Sequence, residues 1–160
     1  MLDPKDVKIL AIVGMSGSGK SILVNYLTER GIPKVHLGNM IYKEMEKRGI
    51  ERTPDGKNER EFREMIRRTE GKDWVARQAI AETKDLIAAG QKRIVLDGVY
   101  SWTEYKAFKH AFPGDLTFVA LVIPKALRYE RVAKRPDRPF DAQAIRERDI
   151  TEIENLEKGG

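Results

Sequence analysis

Short apolar runs alternate along this chain with longer segments in which apolar residues recur every three or four positions. Continuous runs at 8–13, 93–98 and 116–123 predict strands buried on both faces of a sheet, and 34–37 predicts a short further strand. The segments between them have helical spacing. This alternation predicts a three-layer α/β fold, in which helices cover both faces of a parallel sheet.

Polar residues that favour helix N-termini precede several of the helical segments. Asn58 and Ser101 are each followed three residues later by glutamate, which is the spacing of a capping box. Asp73 and Asp141 stand before two other helical segments and predict simpler caps. The sequence therefore predicts where these helices begin.

The connection after the first predicted strand, residues 14–21, fits the pattern G-x-x-x-x-G-K-[S/T] at every fixed position. In this pattern backbone N–H groups surround a phosphate, the lysine reaches the β- and γ-phosphates, and the hydroxyl binds Mg²⁺. A Gly/Ser-rich turn is the alternative, but the motif requires a strand before it and a helix after it, and the sequence predicts both. We therefore expect ATP and Mg²⁺ to bind here, with Lys20 touching only ligand. The expected ligands are Gly14, Ser16, Gly17, Ser18, Gly19, Lys20 and, for the metal, Ser21.

The third predicted strand ends in a carboxylate, Asp97, followed by Gly98. An acidic residue at this place in phosphate-loop enzymes holds Mg²⁺ opposite the loop hydroxyl, directly or through water. An aspartate that starts a turn before glycine is the structural alternative. Because ligands of parallel sheets lie beyond the carboxyl ends of the strands, we expect Asp97, Gly14 and Asn39 at one edge.

Composition limits the class of protein. A chain of 160 residues suits one domain, and the absence of cysteine excludes disulfides and cysteine-based zinc sites. No apolar run approaches the roughly 20 residues of a membrane span, and the N-terminus lacks the pattern of a signal peptide. We therefore expect a soluble, cytoplasmic protein without a membrane partner.

The charge distribution favours a phosphate-rich ligand. The formal net charge is +5, and basic residues outnumber acidic ones from Lys125 to Arg148. Local excess of this kind suits ATP. Nucleic acid is a weaker alternative, because no basic repeat interleaved with aromatic residues is present.

Over nearly its whole length the chain resembles small phosphate-loop kinases, the group that contains dephospho-coenzyme A kinases and nucleoside monophosphate kinases. The resemblance rests on residues 14–21, 37–41 and 96–98, on the arginines of 128–138, and on Arg-Glu-Arg-Asp at 146–149. The dephospho-coenzyme A kinases are the most similar of these. The resemblance implies ATP- and Mg²⁺-dependent phosphoryl transfer to a small nucleotide-like acceptor.

The same resemblance implies two covering segments. Residues of about 39–77 would cover the acceptor, and residues of about 131–140 would form an arginine-bearing lid over ATP. By matching, Arg131 would lie near the adenine or α-phosphate, and Arg135 near the γ-phosphate with Arg138 as a further clamp. A solvated helix face is the alternative for these arginines.

Departures from the family pattern concern the acceptor. Asn39 stands where similar kinases that phosphorylate a hydroxyl group usually have an aspartate. Asp97 or another carboxylate would therefore have to act as the base. Tyr42 and Ser101 stand where monophosphate kinases place arginines, for which Arg63, Arg67 or Arg77 are candidate substitutes. The aromatic residues that are candidates to stack on an acceptor base, or to belong to the core, are Tyr42, Trp74, Tyr100 and Trp102.

Related kinases continue past a segment like 158–160 with one more strand and a closing helix. We therefore expect a shorter sheet or a fragment, with an edge that favours pairing into a homo-oligomer. The leading functional hypothesis is a dephospho-coenzyme A kinase-like enzyme. The alternatives are a nucleoside monophosphate kinase and, from another class, an NTP-binding switch or adaptor that transfers no phosphoryl group to a small molecule.

Overall fold

The computed structural model describes residues 6–53, 57–135 and 141–153. Over these ranges four strands alternate with seven helices. The strands are β1 (Lys8–Val13), β2 (Lys34–His36), β3 (Arg93–Asp97) and β4 (Leu116–Ala120). The helices are α1 (Lys20–Thr28), α2 (Leu37–Lys47), α3 (Lys57–Thr69), α4 (Trp74–Ala88), α5 (Trp102–Ala111), α6 (Lys125–Ala133) and α7 (Ala142–Ile153).

The strands form one parallel sheet in the order β2-β3-β1-β4. Ile12 of β1 pairs with Asp97 of β3 on one side and with Val119 of β4 on the other, and His36 of β2 also pairs with Asp97. All strands therefore end at the same edge of the sheet. The predicted α/β fold with a parallel sheet is confirmed.

Alternate strand residues enter two separate cores. Ile9 and Leu96 belong to a large core with residues of α2, α3, α4 and α5, whereas Ile12 and Val95 pack with Val24 of α1 on the opposite face. A strand residue and its neighbour point to opposite faces of a sheet. The sheet is thus covered by helices on both faces, which explains why its strands are apolar without alternation.

Three strands end before the last residue of the run that predicted them, and for β3 the difference is a single residue, since it ends at Asp97. Strand β4 ends at Ala120 rather than at residue 123, because Leu121 lies against Gly14, where β1 has already given way to the following loop. Strand β2 ends at His36, and α2 begins at once with Leu37, so that Asn39 lies in a helix rather than in the loop after a strand. Burial of Leu37 and Ile41 on one helix face explains this early start.

The predicted helix starts were confirmed at three positions and wrong at one. Ser101 accepts a hydrogen bond from the Glu104 N–H at 3.1 Å and forms the full capping box, and Asp141 accepts one from the Ala144 N–H at 2.8 Å. Asp73 is the N-cap residue of α4, but its side chain makes no capping bond. Asn58 lies inside α3, where its backbone N–H donates to the Thr53 hydroxyl at 3.1 Å. The Thr53 hydroxyl thus accepts from a backbone N–H in the first turn of α3, which is the kind of bond that Asn58 was expected to accept.

Candidate functional site

The site lies at the edge where the parallel strands end. The loop at 14–19 follows β1, Asp97 is the last residue of β3, and His36 is the last residue of β2. The register of the sheet sets the ends of these three neighbouring strands side by side. Residues far apart in the sequence are thereby brought to one place, as expected for Gly14 and Asp97.

The glycines of the loop are required by backbone conformation and by close packing. Gly14, Gly17 and Gly19 have φ values of 143°, 82° and 96°, a region that other residues rarely adopt. A Cβ atom on Gly14 would lie 2.7 Å from the Leu121 carbonyl oxygen, and one on Gly17 would lie 2.7 Å from the Arg128 carbonyl oxygen. A Cβ on Gly19 would meet nothing within 4 Å. The loop is therefore packed against the chain on one side at Gly14 and Gly17.

The two loop serines predicted as phosphate ligands are buried. Ser16 and Ser18 expose 7% and 4% of their surface, and the Ser18 N–H donates to the Met15 carbonyl at 3.1 Å. Helix α1 begins directly after the loop at Lys20, so its N-terminal amides face the same region. Loop amides followed by a helix N-terminus are a favourable arrangement for an anion.

Lys20 lies across the loop that precedes it. Its Nζ donates to the carbonyl oxygens of Gly14 and Met15, the second at 3.1 Å, and stands 5.7 Å from the centre of the Tyr100 ring. The expectation that Lys20 touches only ligand was therefore wrong. Burial lowers the pKa of the Lys20 ammonium, while the negative charges of Glu152 and Asp97 oppose that shift. The ammonium is thus held in a partly desolvated place where an anionic ligand would stabilise it.

Asp97 is paired with a histidine that the sequence did not single out. His36 Nδ1 lies 3.1 Å from Asp97 Oδ2, although the N–H is not aligned as a good hydrogen bond. The contact with His36 lowers the pKa of Asp97, against the opposing effect of burial. Gly38 makes room for the imidazole, because a Cβ there would lie 2.8 Å from His36 Nε2. Asp97 is therefore held as a carboxylate at the sheet edge.

Ser21 and Asp97 fit the protein part of a magnesium site. Ser21 is exposed in the first turn of α1, and Asp97 offers an ionised carboxylate beside the same loop. Mg²⁺ prefers such oxygen ligands and is usually bound by one or two protein groups together with phosphates and water. No cluster of three or more His, Cys, Asp or Glu side chains suited to a metal occurs within the described ranges. Magnesium would therefore depend on the phosphates of a nucleotide for most of its ligands.

Helices α6 and α7 support the phosphate loop through a buried ion pair. Arg128 donates to both carboxylate oxygens of Asp149, at 3.1 and 2.6 Å, and its Nη1 also donates to the Ser16 carbonyl at 3.0 Å. Arg128 and Asp149 each expose only 7% of their surface. Neither was predicted as a site residue. The available signal was helical spacing, which places Arg128 on the same face as the fully buried Val132.

The three predicted lid arginines differ in what the structure says of them. Arg131 is exposed in the last turn of α6. Arg135 is also exposed. Its positive charge contributes to the lowered pKa of Lys20, so its charge acts on the end of the phosphate loop. Arg138 lies outside the described residues, as does the second half of the predicted lid at 131–140. Two charges of α7 also act on Lys20 and were not predicted: Arg148 lowers the pKa of Lys20, as Arg135 does, and Glu152 raises it.

The predicted acceptor residues lie on two helices. Asn39 is exposed in the first turn of α2. Tyr42 is half-buried against the large core, with the Arg52 guanidinium 4.2 Å above its ring. Arg67 donates to Glu64 at 2.9 Å and, with Arg63, lines a small cleft with a cavity volume of about 20 Å³. The cleft is further lined by Lys72, Ser101 and Glu104, and so reaches from α3 to the N-terminus of α5.

The remaining candidates are divided by burial. Trp74 is buried in the large core, whereas Tyr100 and Trp102 expose 53% and 58% of their surface next to the end of β3. Arg77 is bound at the α3–α4 junction, where it donates to the Glu70 carbonyl at 2.5 Å. Of the three substitute arginines considered, Arg63 and Arg67 therefore line the cleft.

A parallel α/β sheet that carries this glycine loop, its lysine and a carboxylate on the neighbouring strand defines the class as a P-loop nucleotide-binding domain. A family model described as an AAA domain matches residues 10–154. A UPF0200 protein of Thermococcus onnurineus is 35% identical over 148 residues, which cover 91% of this chain and 78% of that protein. The chain belongs to the UPF0200 proteins, within this P-loop domain family.

Solved structures of small-molecule kinases share the fold. A sugar kinase from Janibacter sp. HTCC2649 superimposes with a TM-score of 0.56 at 17% identity, over 91% of this chain and 77% of that one. A gluconokinase from Sinorhizobium meliloti 1021 gives a TM-score of 0.51 at 19% identity, over 96% and 75%. At such identities the likeness concerns the fold alone. Within the described part of the chain, no helix has the length and apolar character needed to cross a membrane.

Proposed function

We propose that this chain is an ATP- and Mg²⁺-dependent phosphotransferase that acts on a small, nucleotide-like acceptor. The observation that carries the proposal is the constellation at the sheet edge, where a positive-φ glycine loop, a half-buried Lys20 and the ionised Asp97 lie together. Phosphoryl transfer requires positioning and neutralisation of charge more than covalent help from the protein. This constellation supplies both.

Each residue would have a separate task in this reaction. Loop amides and Lys20 would bind the β- and γ-phosphates, and Ser21 and Asp97 would supply oxygens to the metal. Magnesium, when bound, would neutralise part of the negative charge on the transferred group. Arg135 would lie near the γ-phosphate with Arg138 as a clamp, and Arg131 near the adenine or α-phosphate, as the kinase resemblance implies.

The basic wall of the small cleft beside α3 supports an acceptor that places an anionic group against it. Arg63 and Arg67 stand in its wall with Lys72, and planar guanidinium groups suit the paired oxygens of a phosphate or carboxylate. Asn39 and Tyr42 would complete the acceptor site from α2. A phosphate acceptor needs no general base, because its oxygen is already ionised, whereas a hydroxyl acceptor such as dephospho-coenzyme A would rely on Asp97. Both classes are therefore candidate acceptors.

The test is to incubate the protein with Mg-ATP and, separately, dephospho-coenzyme A, several nucleoside monophosphates, gluconate, or no acceptor. Formation of ADP and of phosphorylated product is followed by chromatography. ADP that appears only with an acceptor supports the proposal and identifies the acceptor. Equal ADP with and without every acceptor would instead favour an NTPase switch.

Lys20→Met is expected to reduce transfer about 100-fold or more, because the charge that faces the phosphates is removed. Lys8→Met is the matched control, since Lys8 is exposed at the opposite end of β1. Thermal unfolding is used to check that both variants are folded. Full transfer by folded Lys20→Met would contradict the role given to Lys20.

A further inference from the structure

The buried ion pair between α6 and α7 has a third member in the phosphate loop. The Arg128 guanidinium is shared between the Asp149 carboxylate and the Ser16 carbonyl, all within 3.1 Å. A guanidinium is planar and rigid, so the carboxylate that binds Nη1 and Nη2 also determines where the second N–H of Nη1 points, and that N–H donates to Ser16. The position of Asp149 therefore determines which way Arg128 presents itself to the loop.

The Ser16 carbonyl fixes the direction of the next amide. In a trans peptide unit the carbonyl oxygen of one residue and the N–H of the next point in opposite directions. Because the Ser16 oxygen is held toward Arg128 of α6, the Gly17 N–H is directed away from α6. Gly17 itself is pressed against the same helix, where its absent Cβ would lie 2.7 Å from the Arg128 carbonyl and 2.8 Å from Val132 Cγ2.

We infer that Arg128, oriented by Asp149, is a positioning residue that holds the phosphate loop with its Gly17 amide turned toward the bound polyphosphate. This inference rests on the proposed function, because it gives the loop the task of binding nucleotide phosphates. Arg128 acts from behind the loop and does not itself touch the nucleotide. The pair also joins α7, which carries Arg148 and Glu152 near Lys20, to the loop that presents Lys20.

The test separates loop positioning from stability. Removing one member of a buried ion pair leaves a charge without its partner and destabilises the fold, so the informative variant is the double replacement Arg128→Met/Asp149→Leu. Apolar residues of similar volume replace such pairs with little loss of stability. Thr83→Ala is the control for stability alone, since Thr83 is fully buried in α4 and its hydroxyl donates to Ala79.

Binding of Mg-ATP and of Mg-tripolyphosphate is measured by calorimetry, and the unfolding temperature by scanning calorimetry. The double variant is expected to unfold cooperatively, yet to bind both ligands with an affinity lower by about tenfold or more. A loss of this size corresponds to one charge-assisted hydrogen bond. The affinities for the two ligands should fall by the same factor, because the adenine of ATP is not involved. Thr83→Ala is expected to unfold at lower temperature and to bind as the wild type does.

A folded double variant with wild-type affinity would overturn the inference while leaving the proposed function intact. Failure of the wild-type protein to bind either ligand would overturn both. Should the double variant not fold, Arg128→Lys replaces it, because a single ammonium drawn to Asp149 lacks the fork that reaches Ser16. Wild-type affinity in folded Arg128→Lys would equally overturn the inference.

Discussion

Gly17→Ala tests whether the phosphate loop is held in place by its contact with α6. The new Cβ would lie 2.7 Å from the Arg128 carbonyl oxygen and 2.8 Å from Val132 Cγ2, both shorter than any ordinary contact. Gly49→Ala is the matched control, because Gly49 also has positive φ, at 66°, but a Cβ there would meet nothing within 4 Å. The two variants therefore share backbone strain and differ in the clash.

The magnitudes follow from these two contributions. Alanine in the left-handed region is disfavoured by about 1–2 kcal/mol, and the stiffer unfolded chain offsets about 0.4–1 kcal/mol of that loss. Gly49→Ala should therefore lower the free energy of unfolding by about 1 kcal/mol. Overpacking adds about 1–3 kcal/mol at Gly17, because neither the α6 backbone nor the buried Val132 is free to withdraw. Gly17→Ala should then lose about 2–4 kcal/mol.

Equilibrium unfolding in urea measures both losses, with the slope of the transition checked for constancy. Titration with Mg-ATP adds a second measurement, in which Gly17→Ala is expected to bind more weakly than Gly49→Ala. Equal losses of stability in the two variants would refute the argument that α6 supports the loop at Gly17.

Two further predictions concern local stability and pH. Ser101→Ala should lower the free energy of unfolding by about 1 kcal/mol, because the Glu104 N–H loses its 3.1 Å acceptor, and no change in the urea midpoint would contradict the cap. The pKa of Asp97 is lowered from 3.8, so its contribution to stability is complete above that pH and is lost as pH falls through the lower folded value. Urea midpoints measured between about pH 6 and about pH 2 should therefore fall less steeply for Asp97→Asn than for the wild type, and identical slopes would contradict the pairing with His36.

Local signals in the sequence were sufficient for most of the fold. Apolar runs predicted all four strands, and the capping residues Ser101 and Asp141 are bonded as their spacing indicates. The phosphate loop is local as well, since its glycines, lysine and flanking elements are contiguous. The failures arose where a distant contact decided the outcome. The apolar run after Ala120 does not continue as a strand, because its neighbour has turned into the loop at Gly14.

Only the site residues that belong to a local sequence motif could be predicted. Lys20 and Asp97 could be proposed as site residues because each stands in a recognisable loop or at a strand end. Arg128 was not, because its partners Ser16 and Asp149 are remote in the sequence and meet it only through packing of α6 and α7. His36 lies in a short strand whose alignment with β3 depends on the whole sheet. Contacts of this kind leave no local pattern.

Helix α3 carries cleft and core residues in direct succession. Phe62 and Ile66 are buried in the large core, while the following residues, Arg63 and Arg67, line the cleft. One inserted residue would rotate everything beyond it by about 100° and would turn Ile66 out of the core together with Arg67 out of the cleft. Substitutions at 63 and 67 can therefore change the cleft without disturbing the core, whereas a change in the length of the helix would disturb both.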